Sequence, residues 1–167
     1  MGRVYIGIGS NIDRERNVRL AIRRLHAHYA PLLLSSVYES DSVGFLGAPF
    51  YNLVAGFDTP DSPDVVHRRL RLIEEQGNRT RNEARFGDRT LDLDLLLYDD
   101  LIMETPEIHL PREEIRAYAF VLRPLAEIAG ERLHPTERRT FVELWAAFDK
   151  TRQPIRRIAF DPYLSDA

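Results

Sequence analysis

The chain opens with apolar residues at every second position. Val4, Ile6 and Ile8 share one face of a strand read from Arg3 to Gly9, with Gly7 and Gly9 punctuating its end. From Asp13 to about Tyr29 the period changes to that of a helix. Val18, Ala21, Ile22, Leu25 and Tyr29 form its apolar stripe, and arginines line the remaining surface. Pro31 ends that helix, and Leu32 to Ser40 returns to a strand pattern. Asp41 to Pro49 is a loop with exposed-looking Phe45 and Leu46, readable as a lid or as a packed turn, and Phe50 to Phe57 is the next strand. Ser62-Pro63-Asp64 predicts a helix start, with Val66, Leu70 and Ile73 as its buried stripe and Gly77 near its end. Glu74 sits near the last turn, where the helix dipole disfavours an anion; it is either simply solvated or, the better explanation, met by a polar partner.

Leu91 to Leu97 alternates again. Leu91, Leu93, Leu95 and Leu97 are predicted to point one way, and Asp92 and Asp94 the other. Beyond the turn at Asp99-Asp100, Ile102 to Leu110 reads as irregular or extended chain. Apolar segments flank Pro124 up to Gly130, and Thr140-x-x-Glu143 spells a capping box ahead of Phe141, Leu144, Trp145 and Phe148. Ile155 to Phe160 suggests a final strand, with residues 160–167 as a loose tail. The order β-α-β-β-α-β with further helices behind it matches a ferredoxin-like plan. The expectation is one α+β domain over residues 1–167, with an antiparallel sheet and helices largely on one face.

Composition narrows the chemistry. With 167 residues, 44% hydrophobic and 29% charged, the chain is long enough for a core without covalent staples. It has no cysteine, which excludes thiolate nucleophiles, iron–sulfur clusters and cysteine-based zinc sites. No apolar run is long enough for a membrane span and none resembles a signal peptide, so a cytoplasmic location without a membrane partner is expected. A net charge of -3 provides no general basic field, and no nucleic-acid partner is expected.

The chemically suggestive stretch is Arg85-Phe86-Gly87-Asp88-Arg89-Thr90-Leu91-Asp92-Leu93-Asp94. Two carboxylates on one strand face, roughly 7 Å apart at their bases, repel each other unless a cation or proton intervenes. Oxygen ligands favour a hard cation such as Mg²⁺, and guanidiniums at Arg79, Arg81, Arg85 and Arg89 suit phosphate oxygens. A half-buried strand with a solvated polar face is the bland alternative. No G-x-x-x-x-G-K-[ST] loop is present, so phosphates must be held by metal and arginine. Arg79 and Arg89 are the candidates for pairing with them. Proton abstraction falls to Asp94 or to a metal-bound hydroxyl, because the five histidines are scattered.

Arg89-Thr90-Leu91-Asp92-Leu93-Asp94, with Gly9-Ser10-Asn11 and the Arg79-x-Arg81 loop, resembles the 6-hydroxymethyl-7,8-dihydropterin pyrophosphokinase family of folate biosynthesis over roughly Val4 to Phe148. The resemblance implies Mg²⁺-dependent transfer of pyrophosphate from ATP to 6-hydroxymethyl-7,8-dihydropterin by a monomer, with two Mg²⁺ ions and release of AMP. It makes Asp92 and Asp94 the metal ligands, with Arg79, Arg89 and Asp94 as catalytic residues. Glu74, Arg79, Arg81, Arg89 and Arg112 fall at the ATP site. Ser40, Val43, Phe50, Asn52, Phe86 and Phe120 fall at the pterin pocket, with two aromatics sandwiching the ring. Three positions depart from the common family pattern: Phe86 stands for a tryptophan, Arg112 for a histidine and Tyr118 for an arginine. The competing readings are a divergent relative with altered activity, a ferredoxin-like module binding RNA or nucleotide, and a nucleotidyl enzyme that releases pyrophosphate.

Overall fold

The computed structural model describes residues 1–41, 47–78 and 91–164. Its strands are β1 (Gly2–Ser10), β2 (Leu33–Leu34), β3 (Val37–Ser40), β4 (Phe50–Thr59), β5 (Asp92–Tyr98), β6 (Met103–Glu104), β7 (His109–Leu110) and β8 (Ile155–Ile158). The helices are α1 (Arg14–Tyr29), α2 (Pro63–Asn78), α3 (Glu114–Ala117), α4 (Ala119–Ala129) and α5 (Phe141–Ala147). The main sheet runs β5-β1-β4-β3-β8 with β2 also on β4, every pair antiparallel, and β6 and β7 form a separate hairpin.

β1 sits inside the sheet because both its faces are apolar enough to be covered. Val4, Ile6 and Ile8 join Leu53, Ala55 and Phe57 of β4 and Leu93 and Leu95 of β5 in one core, closed by α1 and α2. Tyr5, Val54, Leu96 and Leu97 belong to a second core, closed by Leu122, Leu125 and Ala126 of α4 and Phe141 of α5. Helices therefore cover both faces, against the expectation of one. The run Leu95-Leu96-Leu97 carries the reason, since consecutive leucines in a strand need apolar cover on each side.

A β-bulge corrects the predicted alternation of β5. Tyr5 pairs with Leu97 and Ile6 with Leu95, which leaves Leu96 as an extra residue. The insertion flips the parity, so Leu97 faces the second core rather than joining Leu91, Leu93 and Leu95. Asp92 and Asp94 precede the bulge and keep the face opposite those three leucines.

Stretch 32–40 also departs from its prediction, breaking into β2 and β3 at Ser35-Ser36. The Ser35 hydroxyl oxygen accepts the Val54 N–H at 2.9 Å, while the Ser36 N–H and hydroxyl both donate to Glu127 at 2.9 Å. Side chains compete with the ladder here and interrupt it. Pro63 occupies the first position of α2 as predicted. Gly77 lies inside the last turn of α2, where a Cβ would stand 2.8 Å from the Leu91 side chain, so its smallness lets α2 approach the start of β5. Among the described residues no helix is long and apolar enough to cross a membrane.

The predicted capping box is formed at α5: Thr140 Oγ1 accepts the Glu143 N–H at 3.1 Å, and the Thr140 N–H donates to Glu143 at 3.0 Å. Thr140→Ala is expected to lower unfolding free energy by about 1 kcal/mol. Urea denaturation checks this, with turnover per folded molecule expected to stay at the wild-type level.

Candidate active site

On the α4 side of the sheet, β1 presents glycine at two successive inward positions. Gly7 pairs with Asp94 of β5 and Val54 of β4, and Gly9 pairs with Asp92 and Asn52. The missing side chains leave a hollow between two aspartates on one flank and an amide on the other. Space there is tight at the backbone, since a Cβ on Gly9 would lie 2.9 Å from Asn52 Oδ1. The hollow deepens into a cavity of about 620 Å³, roofed by the segment from Arg112 to Val121. That volume lies within the range of small-molecule and cofactor sites.

One end of the cavity is flat and weakly polar. Phe50 and Phe120 line it with Ser40, Asn52 and Tyr118. Ser40 and Asn52 are both buried, and Asn52 Nδ2 donates to Ser40 Oγ at 2.9 Å, which fixes how the amide presents its edge. Tyr118 stacks on Phe120 with ring centroids 5.0 Å apart and 19° between planes, which holds the Phe120 ring at the cavity wall.

The other end is charged. Asp92, Asp94, Arg71, Arg112 and Glu114 line it. Burial pushes the Asp94 carboxyl up to about 6, with the charge of Asp92 adding to the effect and Arg112 and Arg71 opposing it. Arg112 Nη2 lies 3.5 Å from Asp94 Oδ1, and Arg112 Nε donates to Glu114 Oε2 at 2.5 Å. Burial weakens the Arg112 guanidinium's grip on its proton, but Asp94 and Glu114 outweigh this and leave the grip firmer than usual. The carboxylates are thus short of positive charge even with an arginine beside them.

Glu74 stands behind this end, on α2. Its Oε2 accepts the Leu93 N–H at 2.8 Å and its Oε1 lies 3.1 Å from Arg71 Nε, which supplies the polar partner its place in the helix called for. Burial pushes its carboxyl up to about 7, against the Leu93 hydrogen bond and the Arg71 charge, with Asp92 adding to the rise.

The cavity therefore gathers Ser40, Phe50, Asn52, Asp92, Asp94, Arg112 and Phe120 from five separate segments of chain. Glu74 is adjacent rather than lining. Val43, Arg79, Arg81, Phe86 and Arg89 lie outside the described residues, as does most of the loop at 41–49. Sequence reasoning missed Arg71 and Glu114. The spacing of Arg71 and Glu74, i and i+3 on one helix, was a readable signal for the first. Glu114 had none, because only the turn into α3 brings it back to Arg112.

Residues 5–130 match the model of the family described as 7,8-dihydro-6-hydroxymethylpterin-pyrophosphokinase (HPPK). The chain is 41% identical over 131 residues to the 2-amino-4-hydroxy-6-hydroxymethyldihydropteridine pyrophosphokinase of Bacillus subtilis, covering 76% of this chain and 78% of that relative. It is 37% identical over 155 residues to the protein of the same name in Pseudomonas aeruginosa, covering 87% and 91%. Among solved structures it is similar in fold to an HPPK-DHPS in complex with substrates, with a TM-score of 0.69 at 11% identity. That match covers 87% of this chain and spans 43% of the larger one.

The raised carboxyl of Asp94 has a consequence for stability. An acid with a higher pKa folded than unfolded binds more protons in the folded state, so its contribution to stability falls as pH rises between the two values. For Asp94 that window runs from the ordinary 3.8 to about 6. In metal-free protein, Asp94→Asn is expected to raise the melting temperature relative to wild type. The gain should grow from pH 4 to about 6 and then level off. Thermal melts in chelator across this range check it; a gain independent of pH would contradict it.

Proposed function

This chain belongs to the 7,8-dihydro-6-hydroxymethylpterin-pyrophosphokinase family, and from that premise we propose that its cavity holds both substrates, with the pterin at the aromatic end and the ATP phosphates at the charged end. The reaction is transfer of pyrophosphate from ATP to the hydroxymethyl group of 6-hydroxymethyl-7,8-dihydropterin in folate synthesis. The observation that carries the placement is the row Asp92–Gly9–Asn52. In this row, strand pairing sets a carboxylate and a ring-reading amide on either side of a residue with no side chain. A flat heterocycle can lie on the floor there with its hydroxymethyl arm reaching toward the aspartates.

Asn52 is the recognition group for the pterin edge. One of its two N–H donors is committed to Ser40, so its orientation is set before the ligand arrives, and less of the binding energy goes into ordering it. Phe120, backed by Tyr118, offers a face for stacking, and Phe50 lines the same end. Phe86 is the proposed second aromatic wall, and Val43 a further proposed pterin contact. The transfer joins the hydroxymethyl oxygen to the β-phosphorus of ATP and breaks that phosphorus's bond to the oxygen bridging the α-phosphate. AMP departs with the bridging oxygen, and the hydroxyl proton is released.

The donor set fits Mg²⁺. Among the described residues no cluster of three or more ligating side chains could hold a metal unaided. Mg²⁺ commonly takes one or two carboxylates and completes its shell with phosphate oxygens and water. Asp92 and Asp94 would be those carboxylates, and the ions would neutralise charge on the phosphates during transfer. Arg112 sits in the cavity between Asp94 and Glu114, and its Nη2 would exchange Asp94 for a phosphate once a cation relieves that carboxylate. Arg79, Arg81 and Arg89 are the proposed remaining partners of the phosphate chain.

The core β1-α1-β3-β4-α2-β5 we read as ferredoxin-like, supported by the antiparallel order β5-β1-β4-β3.

Mixing protein, Mg²⁺, ATP and hydroxymethyldihydropterin is expected to yield AMP, resolved from ADP by chromatography; ADP or free pyrophosphate as the product would refute the reading. Asp94→Asn is expected to cut kcat by at least about 100-fold, as removal of a group stabilising transition-state charge commonly does. Asn52→Ala should weaken pterin binding by about 1–3 kcal/mol, the cost of leaving buried polar groups unpaired, while ATP affinity stays near wild type in titration calorimetry.

A further inference from the structure

Among the described residues β5 holds Asp92 and Asp94 at the edge of the sheet, with a strand neighbour on one side only. In an antiparallel ladder every second residue turns its N–H and C=O away from its partner, and at an edge these groups go unpaired. Leu93, between the two aspartates, is such a residue. Both of its groups are taken by α2: the N–H donates to Glu74 Oε2 at 2.8 Å, and the carbonyl accepts from Arg71 Nη2. Arg71 Nε stands 3.1 Å from Glu74 Oε1, which closes the three contacts into a ring.

One helical turn thus supplies to Leu93 a donor and an acceptor in the arrangement that the backbone of a further strand would offer. Three features set this apart from an ordinary surface ion pair. The Glu74 side chain is only 13% exposed, so water has little access to its carboxylate even though Arg71 is partly open to solvent. The clamp grips the one residue whose rotation would swing both aspartates. It is also local, since the next outward contact of β5 is the Leu96 carbonyl, which accepts the Arg112 N–H at 3.1 Å beyond Asp94.

We propose that Arg71 and Glu74 are positioning residues that act through Leu93, holding the spacing and aim of Asp92 and Asp94 so that the pair is ready for a divalent cation. The proposal rests on the reading of those aspartates as cation ligands. Mg²⁺ tolerates little departure from octahedral geometry, so a strand free to twist at Leu93 would bind it more weakly. Loss of groups that orient metal ligands commonly costs about 10–100-fold in metal affinity.

The test uses the full chain with Mn²⁺ alone as probe, read by electron paramagnetic resonance, and the Leu93 amide followed by NMR hydrogen exchange. Arg71→Met keeps the aliphatic stem and removes the guanidinium, with both its hydrogen bond to Leu93 and its ion pair with Glu74. It is expected to weaken Mn²⁺ binding about 10-fold or more and to speed exchange at Leu93. In turnover, kcat should fall while the KM for pterin holds. Glu74→Gln retains an acceptor for the Leu93 N–H and should lose less than Glu74→Ala. The Arg71→Met, Glu74→Ala double variant should lose little more than either single one, because the ring fails as a unit. Folded Arg71→Met with wild-type Mn²⁺ affinity and wild-type Leu93 protection would overturn the proposal. So would an effect confined to ATP affinity, which would make Arg71 a phosphate contact instead. Asp94→Asn serves as the control: if it binds Mn²⁺ like wild type, the cation reading itself has failed, whatever Arg71 does.

Discussion

Two carboxylates on successive inward positions of a half-buried strand cannot both be comfortable. Their repulsion is the constraint around which the charged end of the cavity is built. Burial and the neighbouring charge of Asp92 raise the Asp94 carboxyl, and Arg112 and Arg71 only partly offset this. Arg112 is itself shared with Glu114. A fold that keeps such an arrangement gives up stability in the absence of ligand. A cation held there as proposed would recover it, so binding energy would go into relieving a tension already present rather than creating a new geometry.

The rest of the sheet makes that tension sustainable. The first core, under α1 and α2, anchors β1, β4 and β5 through fully buried residues such as Ile6, Phe57 and Leu93. The second face is covered only partway. α4 and α5 close it over Tyr5, Val54, Leu96 and Leu97, and the bulge at Leu96 marks where apolar cover gives way to the aspartate flank. Beyond that point Gly7 and Gly9 keep the floor bare. The cavity exists because the sheet carries no side chains at two central positions, Gly7 and Gly9, beneath the segment from Arg112 to Val121 that roofs it.

The elements local to the chain were legible in advance. The helix stripe of Val18, Ile22 and Leu25, the Pro63 start of α2 and the capping box at Thr140 depend on contacts within a few residues, so period and end signals suffice to find them. The same holds for Asp92 and Asp94, whose shared face follows from strand geometry alone. What escaped depends on partners distant in sequence. The break at Ser35-Ser36 needs Val54 and Glu127, and the turn of Leu97 to the opposite face needs β1 to pair across a bulge. The helices on the second face were foreshadowed by three leucines in a row, a signal that period-two reasoning passes over.

By itself, then, the sequence determined which residue types were available and which of them shared a face. It set carboxylates beside leucines in β5, glycines at alternate places in β1, and aromatic residues and an amide in β4. Only the tertiary structure decided which of these meet. Pairing of β1 with β5 on one side and β4 on the other set Asp92 and Asn52 on either side of Gly9, and the docking of α2 brought Arg71 and Glu74 onto Leu93. The reason is one of range: periodicity reports the direction of a side chain relative to its own backbone, whereas a site is a set of distances between backbones that only packing can fix.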